Sequence, residues 1–198
     1  MVFDEHKYRE YANCFWDELN STFFQKRGRF GYLPMVFAEL PTDAGMKHIK
    51  GVTSIHTNEK RQTYSCFPIV FIRFDSTDKQ LFQTIRHETI HYFLALHYYN
   101  HQDNSALFAL VCGLFDGDAY ESLSDKGQAI YDASKTYFEE AYAIYASSKD
   151  DADKCNSLAI KLSMMLTEID DAEQNQTCDI NSLKSTLSLI LKWCKSRK

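Results

Sequence analysis

Only seven glycines and three prolines interrupt the 198 residues, too few for a chain built largely of loops or of low-complexity sequence. No stretch approaches the roughly 18 uninterrupted apolar residues of a membrane helix. The opening MVFDEHKYRE is too charged to read as a signal peptide. The six cysteines (Cys14, Cys66, Cys112, Cys155, Cys178 and Cys194) form no CxxC pair. That excludes a zinc ribbon built on paired cysteines, and it fits reduced thiols better than a disulfide framework. A basic excess is also missing: the net charge of −5 argues against a general nucleic-acid binder. Two small basic clusters, Lys26, Arg27 and Arg29 near the start and Lys192, Lys195, Arg197 and Lys198 at the end, read as solvated ends of secondary elements. The expectation is a soluble, cytoplasmic protein with no membrane partner and no nucleic-acid partner indicated by charge.

What is present is core-forming material. Hydrophobic residues make up 44% and aromatics 14%, enough for a folded and largely helical chain. Tyr8, Tyr11, Ala12, Phe15, Trp16 and Leu19 recur at helical spacing and predict a helix over 5–20. Gly28, Gly31 and Pro34 break the chain, and three strand-like runs follow, Met35–Leu40, Gly51–His56 and Pro68–Asp75. Ser76 or Thr77 then caps a helix running from Lys79 to Tyr99. After the polar break NHQDNS, a second apolar helix spans Ala106–Phe115.

From Gly127 onward strand signals disappear. Three apolar stripes remain: Ile130, Tyr137, Phe138, Ala141 and Tyr145; Leu158, Leu162 and Leu166; and Leu183, Leu187, Ile190, Leu191 and Cys194. They read as helix-packing faces. The expected class is α+β, with a small three-stranded sheet and one chemistry-bearing helix in residues 1–122, followed by an all-α region in 123–198.

Residues 87–91 read His-Glu-Thr-Ile-His. On a helix, histidines four residues apart project from one face a turn apart, so both can ligate one tetrahedral Zn²⁺. Glu88 is offset around the helix, beside the metal, where it can act as general base on a zinc-bound water. At about 100° per residue, Phe82, Ile85, Thr89, Tyr92, Phe93 and Leu96 fall on the opposite side, which predicts a greasy face for the core and a metal face lining a cleft. Arg86 is expected to pair with a nearby acid, and His56 to be structural or solvated.

A third ligand must come from elsewhere. His97 completes the spacing HExxHxxxxxH, but that arrangement needs a glycine midway for a sharp turn, and Leu94 stands there; in a continuing helix His97 points away. His101, Asp103 and Asn104 lie in the polar break, from which a ligand could reach the metal from the side. Asp118 and Glu121, further on, would instead complete a gluzincin-like site.

Over residues 5–116 the chain resembles the SprT-like family of zinc metallopeptidases: a leading helix, a short sheet, the HETIH helix, and a loop before a further helix. The resemblance implies a zincin-like fold, one Zn²⁺, a protein or peptide substrate, and a third ligand shortly before a helix with an aromatic in its first turn. Phe108 is that aromatic, and counting back from it places Asp103 or Asn104 at the ligand position. Asp103 is the better zinc ligand by chemistry, with His101 as runner-up. The chain departs from the family in offering an aspartate for the usual histidine, in lacking the zinc ribbon of many members, and in its helical region 127–198.

The expected function is thus zinc-dependent hydrolysis of amide bonds, with the metal on His87, His91 and Asp103 and with Glu88 as the base. The run PIVFIRFD is the expected sheet edge for pairing with an extended substrate. The alternative is a non-catalytic, zincin-like regulatory or interaction module with a structural metal, in which Glu88 would have little purpose.

Overall fold

A computed structural model describes residues 3–23, 32–39, 50–57, 63–72, 76–117, 119, 122–175 and 177–197. Among these the fold is α+β, with helices α1 (Glu5–Thr22), α2 (Asp78–Leu96), α3 (Ala106–Leu114), α4 (Asp125–Ala146), α5 (Ala152–Gln174) and α6 (Ile180–Lys195), and strands β1 (Val36–Glu39), β2 (Gly51–Thr57) and β3 (Thr63–Ile72). The basic cluster at 26–29 lies outside the described residues. At the other end, Lys195 pairs with Glu140 on α4 at 2.6 Å. No helix among the described residues is long and apolar enough to cross a membrane.

The sheet has the order β1–β3–β2, with β1 parallel and β2 antiparallel to β3. This corrects the expectation that PIVFIRFD forms the sheet edge: β3 is the central strand, and β1 and β2 are its edges. β3 also starts five residues before the expected Pro68. A proline inside a central strand normally costs a ladder hydrogen bond. Here the Phe71 N–H donates to the Lys50 carbonyl, so by alternation Pro68, opposite Thr53, turns its nitrogen away from β2. On that side β1 pairs only from Val36, opposite Ile69, so no ladder bond is lost. The ends expected at Leu40 and Asp75 lie outside the described residues.

α2 packs under this sheet and against α1. Its start is fixed by a capping box: Thr77 Oγ1 accepts from the Gln80 N–H, and the Gln80 side chain accepts from the Thr77 N–H. From His87 to Leu96 every residue is buried, so α2 is a central helix, not the two-faced helix over a cleft that its sequence suggests. Phe82 leans on Tyr8 and Tyr11 of α1, while Tyr92 and Phe93 meet Trp16. The helix stops at Leu96, three residues short of the expected Tyr99. Tyr98 adopts φ 65°, its N–H donates to the Ala95 carbonyl, and the Tyr99 N–H donates to the Leu94 carbonyl. This is a Schellman ending with a tyrosine in the left-handed position that glycine usually takes.

The three stripes read for the last third of the chain are buried as helix-packing faces, with Tyr137 only partly so. Phe23 of the front stacks on Phe138 of α4, with ring centroids 6.1 Å apart, and Phe115 meets Tyr142. Residue 122 lies in the connection between α3 and α4, and one hydrophobic cluster extends across it.

Candidate metal centre

The middle of α2 brings His87 and His91 side by side, and the loop after the Schellman turn returns to place Asp103 against both. His87 Nε2 and His91 Nε2 are 3.0 Å apart, and each lies 3.2 Å from Asp103 Oδ1. Four ligands at 2.0–2.1 Å in a tetrahedron stand roughly 3.3 Å from one another, so this triangle is close to the size a zinc ion needs. Among the described residues these three form the group of histidine, cysteine or acidic side chains able to share one ion.

Chemistry agrees with size. His91 Nδ1 lies 2.6 Å from the carbonyl oxygen of His101. That oxygen can only accept, so Nδ1 carries the proton, and Nε2 of a neutral ring is left with a lone pair aimed at the other two atoms. Asp103 Oδ1 is buried and has no hydrogen-bond donor. An acceptor nitrogen and an orphaned carboxylate oxygen meeting at one point repel each other unless a cation or a proton lies between them. With a proton in place of a cation on the ring nitrogens, hydrogen bonds from His87 and His91 hold the Asp103 carboxyl well below the usual carboxylate range. A divalent metal fits this donor set.

Phe108, in the first turn of α3, seals the centre from one side. It stacks on His91 with centroids 4.1 Å apart at 16°, and meets His87 in a T-shaped contact at 5.1 Å. The two histidine side chains are only 6% and 10% exposed; the Asp103 side chain is 35% exposed, but its Oδ1 is turned inward.

Glu88 is 3% exposed and faces β2. Thr53 Oγ1 lies 2.7 Å from Glu88 Oε2 and 3.1 Å from the Glu88 carbonyl oxygen. A Cβ built on Gly51 would come within 2.5 Å of Glu88 Oε1, so the carboxylate occupies the space a side chain would fill. Burial pushes the Glu88 carboxyl up, against the opposing pull of His91, His87 and the Thr53 hydrogen bond. Gly51 and Thr53 were not singled out from sequence. The available signal was period-two alternation, which puts both on one face of GVTSIHT.

The remaining candidates go elsewhere. The His101 ring does not join the triangle: its Nδ1 lies 3.3 Å from the Tyr99 carbonyl oxygen, and its contribution is the backbone carbonyl under His91. His97 caps α2 and tilts onto Phe93, with centroids 4.9 Å apart, and is not part of the triangle. Its Nε2 is buried without a partner, and burial pushes its pKa down to about 4. Arg86 pairs with Asp116 at 2.9 Å and also donates to the Tyr11 hydroxyl. His56 is exposed, with Nε2 3.2 Å from Ser54 Oγ. Asp118 and Glu121, the gluzincin-like alternatives, lie outside the described residues. No protein-family model, curated protein or solved structure matches the chain.

Proposed function

We propose that this protein is a single-zinc metallohydrolase that cleaves amide bonds in a protein or peptide substrate, in the cytoplasm. The observation that carries the reading is the convergence of His87 Nε2, His91 Nε2 and Asp103 Oδ1 within 3.2 Å, next to a buried glutamate that is not part of the triangle. Three protein ligands leave a position open, the pattern of catalytic and not structural zinc sites. A structural site has no need of Glu88, and a carboxylate held in place by Thr53 and the gap at Gly51 costs desolvation that some role must justify. The order α1, sheet, α2, ligand loop and α3 with Phe108 in its first turn also supports a zincin-like fold of the SprT-like kind, with aspartate as third ligand.

His87, His91 and Asp103 would hold the metal, which when bound supplies a Lewis acid that activates water and polarises a carbonyl. Glu88 takes the proton of the attacking water and delivers it to the leaving amine. Its carboxyl, pushed up by burial, is better matched to neutral pH than a solvated one. Thr53 and Gly51 fix where that carboxylate stands. Phe108 keeps water from the histidine side. Because Gly51 and Thr53 lie on the edge strand β2, an extended substrate pairing with that edge would pass beside Glu88.

The test is metal content and peptidase activity on wild type, His91→Ala, Asp103→Ala and Glu88→Gln. The expected result is about one zinc per chain in wild type and in Glu88→Gln, and loss of zinc in the two ligand variants. Activity of Glu88→Gln should fall by about 10²–10⁴-fold, the usual contribution of a general base. A Glu88→Gln protein that keeps both zinc and full activity sinks the mechanism. A wild type that takes up no zinc when it is offered sinks the metal site.

A further inference from the structure

The loop that supplies Asp103 is held at both ends by one helix of the C-terminal region. Asp170 and Glu173 sit a turn apart on α5. Asp170 Oδ1 accepts from the Asn100 N–H at 2.6 Å, just before His101 and Asp103. Just after them, Glu173 accepts from the Ala106 N–H at 2.5 Å, from Ser105 Oγ at 2.7 Å and from the Leu107 N–H at 3.4 Å. Glu173 thereby takes up amide protons at the start of α3 that have no partner within that helix. The Asn100 side chain also reaches Glu173, at 3.4 Å, and Tyr99 meets Thr167. Lys126 of α4 donates to the carbonyl oxygens of Glu173 and Asn175, at 2.6 and 2.7 Å, and so ties down the end of α5.

Between these two anchors lie the groups that the loop contributes to the centre: the Asp103 carboxylate and the His101 carbonyl under His91. The geometry points to Asp170 and Glu173 as positioning residues of the metal centre, through which helix α5 sets how tightly the zinc is held. Neither carboxylate touches the triangle; both act by fixing the loop that does. A loop free to move by an ångström would lose the aspartate and the histidine's orienting carbonyl together. Groups that orient metal ligands are typically worth ten- to hundredfold in affinity. This inference rests on the proposed zinc site.

The test is zinc affinity of the full chain, by competition with a chromophoric chelator, for wild type, Glu173→Ala, Glu173→Gln, Asp170→Asn and Asp171→Asn. Two further readouts are the visible spectrum of the cobalt-substituted proteins and the rise in melting temperature that zinc produces over each metal-free form. Asp171 is exposed on the same helix, so its variant removes the same charge without touching the loop. The expected result is a ten- to hundredfold weaker zinc complex, with an altered cobalt spectrum, in Glu173→Ala. Glu173→Gln, which keeps one acceptor oxygen, should recover part of the loss, and Asp171→Asn should match wild type. A Glu173→Ala protein that melts at lower temperature without metal but keeps wild-type zinc affinity and cobalt spectrum overturns the inference, leaving the zinc site standing. Should Glu173→Ala not fold, Glu173→Gln and Asp170→Asn decide by the same criterion. A wild type that binds no zinc overturns both readings at once.

Discussion

The front and the back of this molecule are held together by different means. Helices α4, α5 and α6 present repeating apolar stripes, and their packing tolerates small errors of position because burial is not directional. The front buries charge: Glu88 under β2, and two histidines against an aspartate beneath Phe108. Those groups need specific partners at specific distances, and a shift that a leucine would absorb breaks them. Undirected apolar packing and directed polar contacts therefore dominate different parts of one continuous core, joined where α5 grips the loop that carries Asp103.

Three measurements break or sharpen that division. The largest effect is expected at the back. Leu187 is fully buried on α6, and Leu187→Ala should lower unfolding free energy by about 2–5 kcal/mol, read by denaturant titration. Zinc affinity measured well below the melting temperature should stay within twofold of wild type; a tenfold loss would mean that the two regions are not separable. Gly51→Ala should do the reverse. The added methyl group must displace the Glu88 carboxylate, so kcat should fall about a hundredfold with zinc content unchanged, since an ångström of misplacement has about that effect on a catalytic group. Full activity in Gly51→Ala would mean that the carboxylate's place against β2 is irrelevant to the chemistry.

The smallest of the three concerns pH. His97 is half-buried as the neutral ring, its Nε2 fully enclosed and its pKa pushed down by burial to about 4, whereas in the unfolded chain it titrates near 6.5. As pH falls from about 6.5 towards 4 the unfolded state gains a proton that the folded state does not, so stability is lost across that window and levels off below it. The loss should reach roughly 2 kcal/mol by chemical denaturation after discounting for partial exposure, and it should be absent in His97→Phe. An equal acid slope in that variant would place the titrating group elsewhere.

What sequence could reveal follows the same division. Every helix among the described residues is legible as apolar patterning, and the His87–His91 pair is legible because both histidines sit on one regular element. The approach of Asp103 to that pair is marked by no local pattern, because it depends on the turn at Tyr98, where a bulky residue takes a conformation that no glycine or asparagine advertises. The open face expected of α2 was misjudged for a related reason. Helical periodicity shows which side is polar but cannot say that Phe108 and β2 will cover it. The central place of β3 was hidden by Pro68, which reads as a strand start until the late beginning of β1 is known. Gly51, Thr53, the His101 carbonyl and Glu173 act through long-range contacts or through backbone atoms, and no local pattern marks them.

The distance along the chain between the ligand loop and its anchors has a consequence in time. Asn100 and Ala106 are held by residues 70 and 67 positions downstream. A chain made from its N-terminus thus carries both histidines and Asp103 well before it carries the helix that steadies the loop. The local pair on α2 can form early. The full set of three side chains waits for contacts of large sequence separation, which are slow to close. The triangle of His87, His91 and Asp103 is among the last parts of the fold to be completed, and a chain cut short before α5 would carry all three residues without the contacts that fix the Asp103 loop.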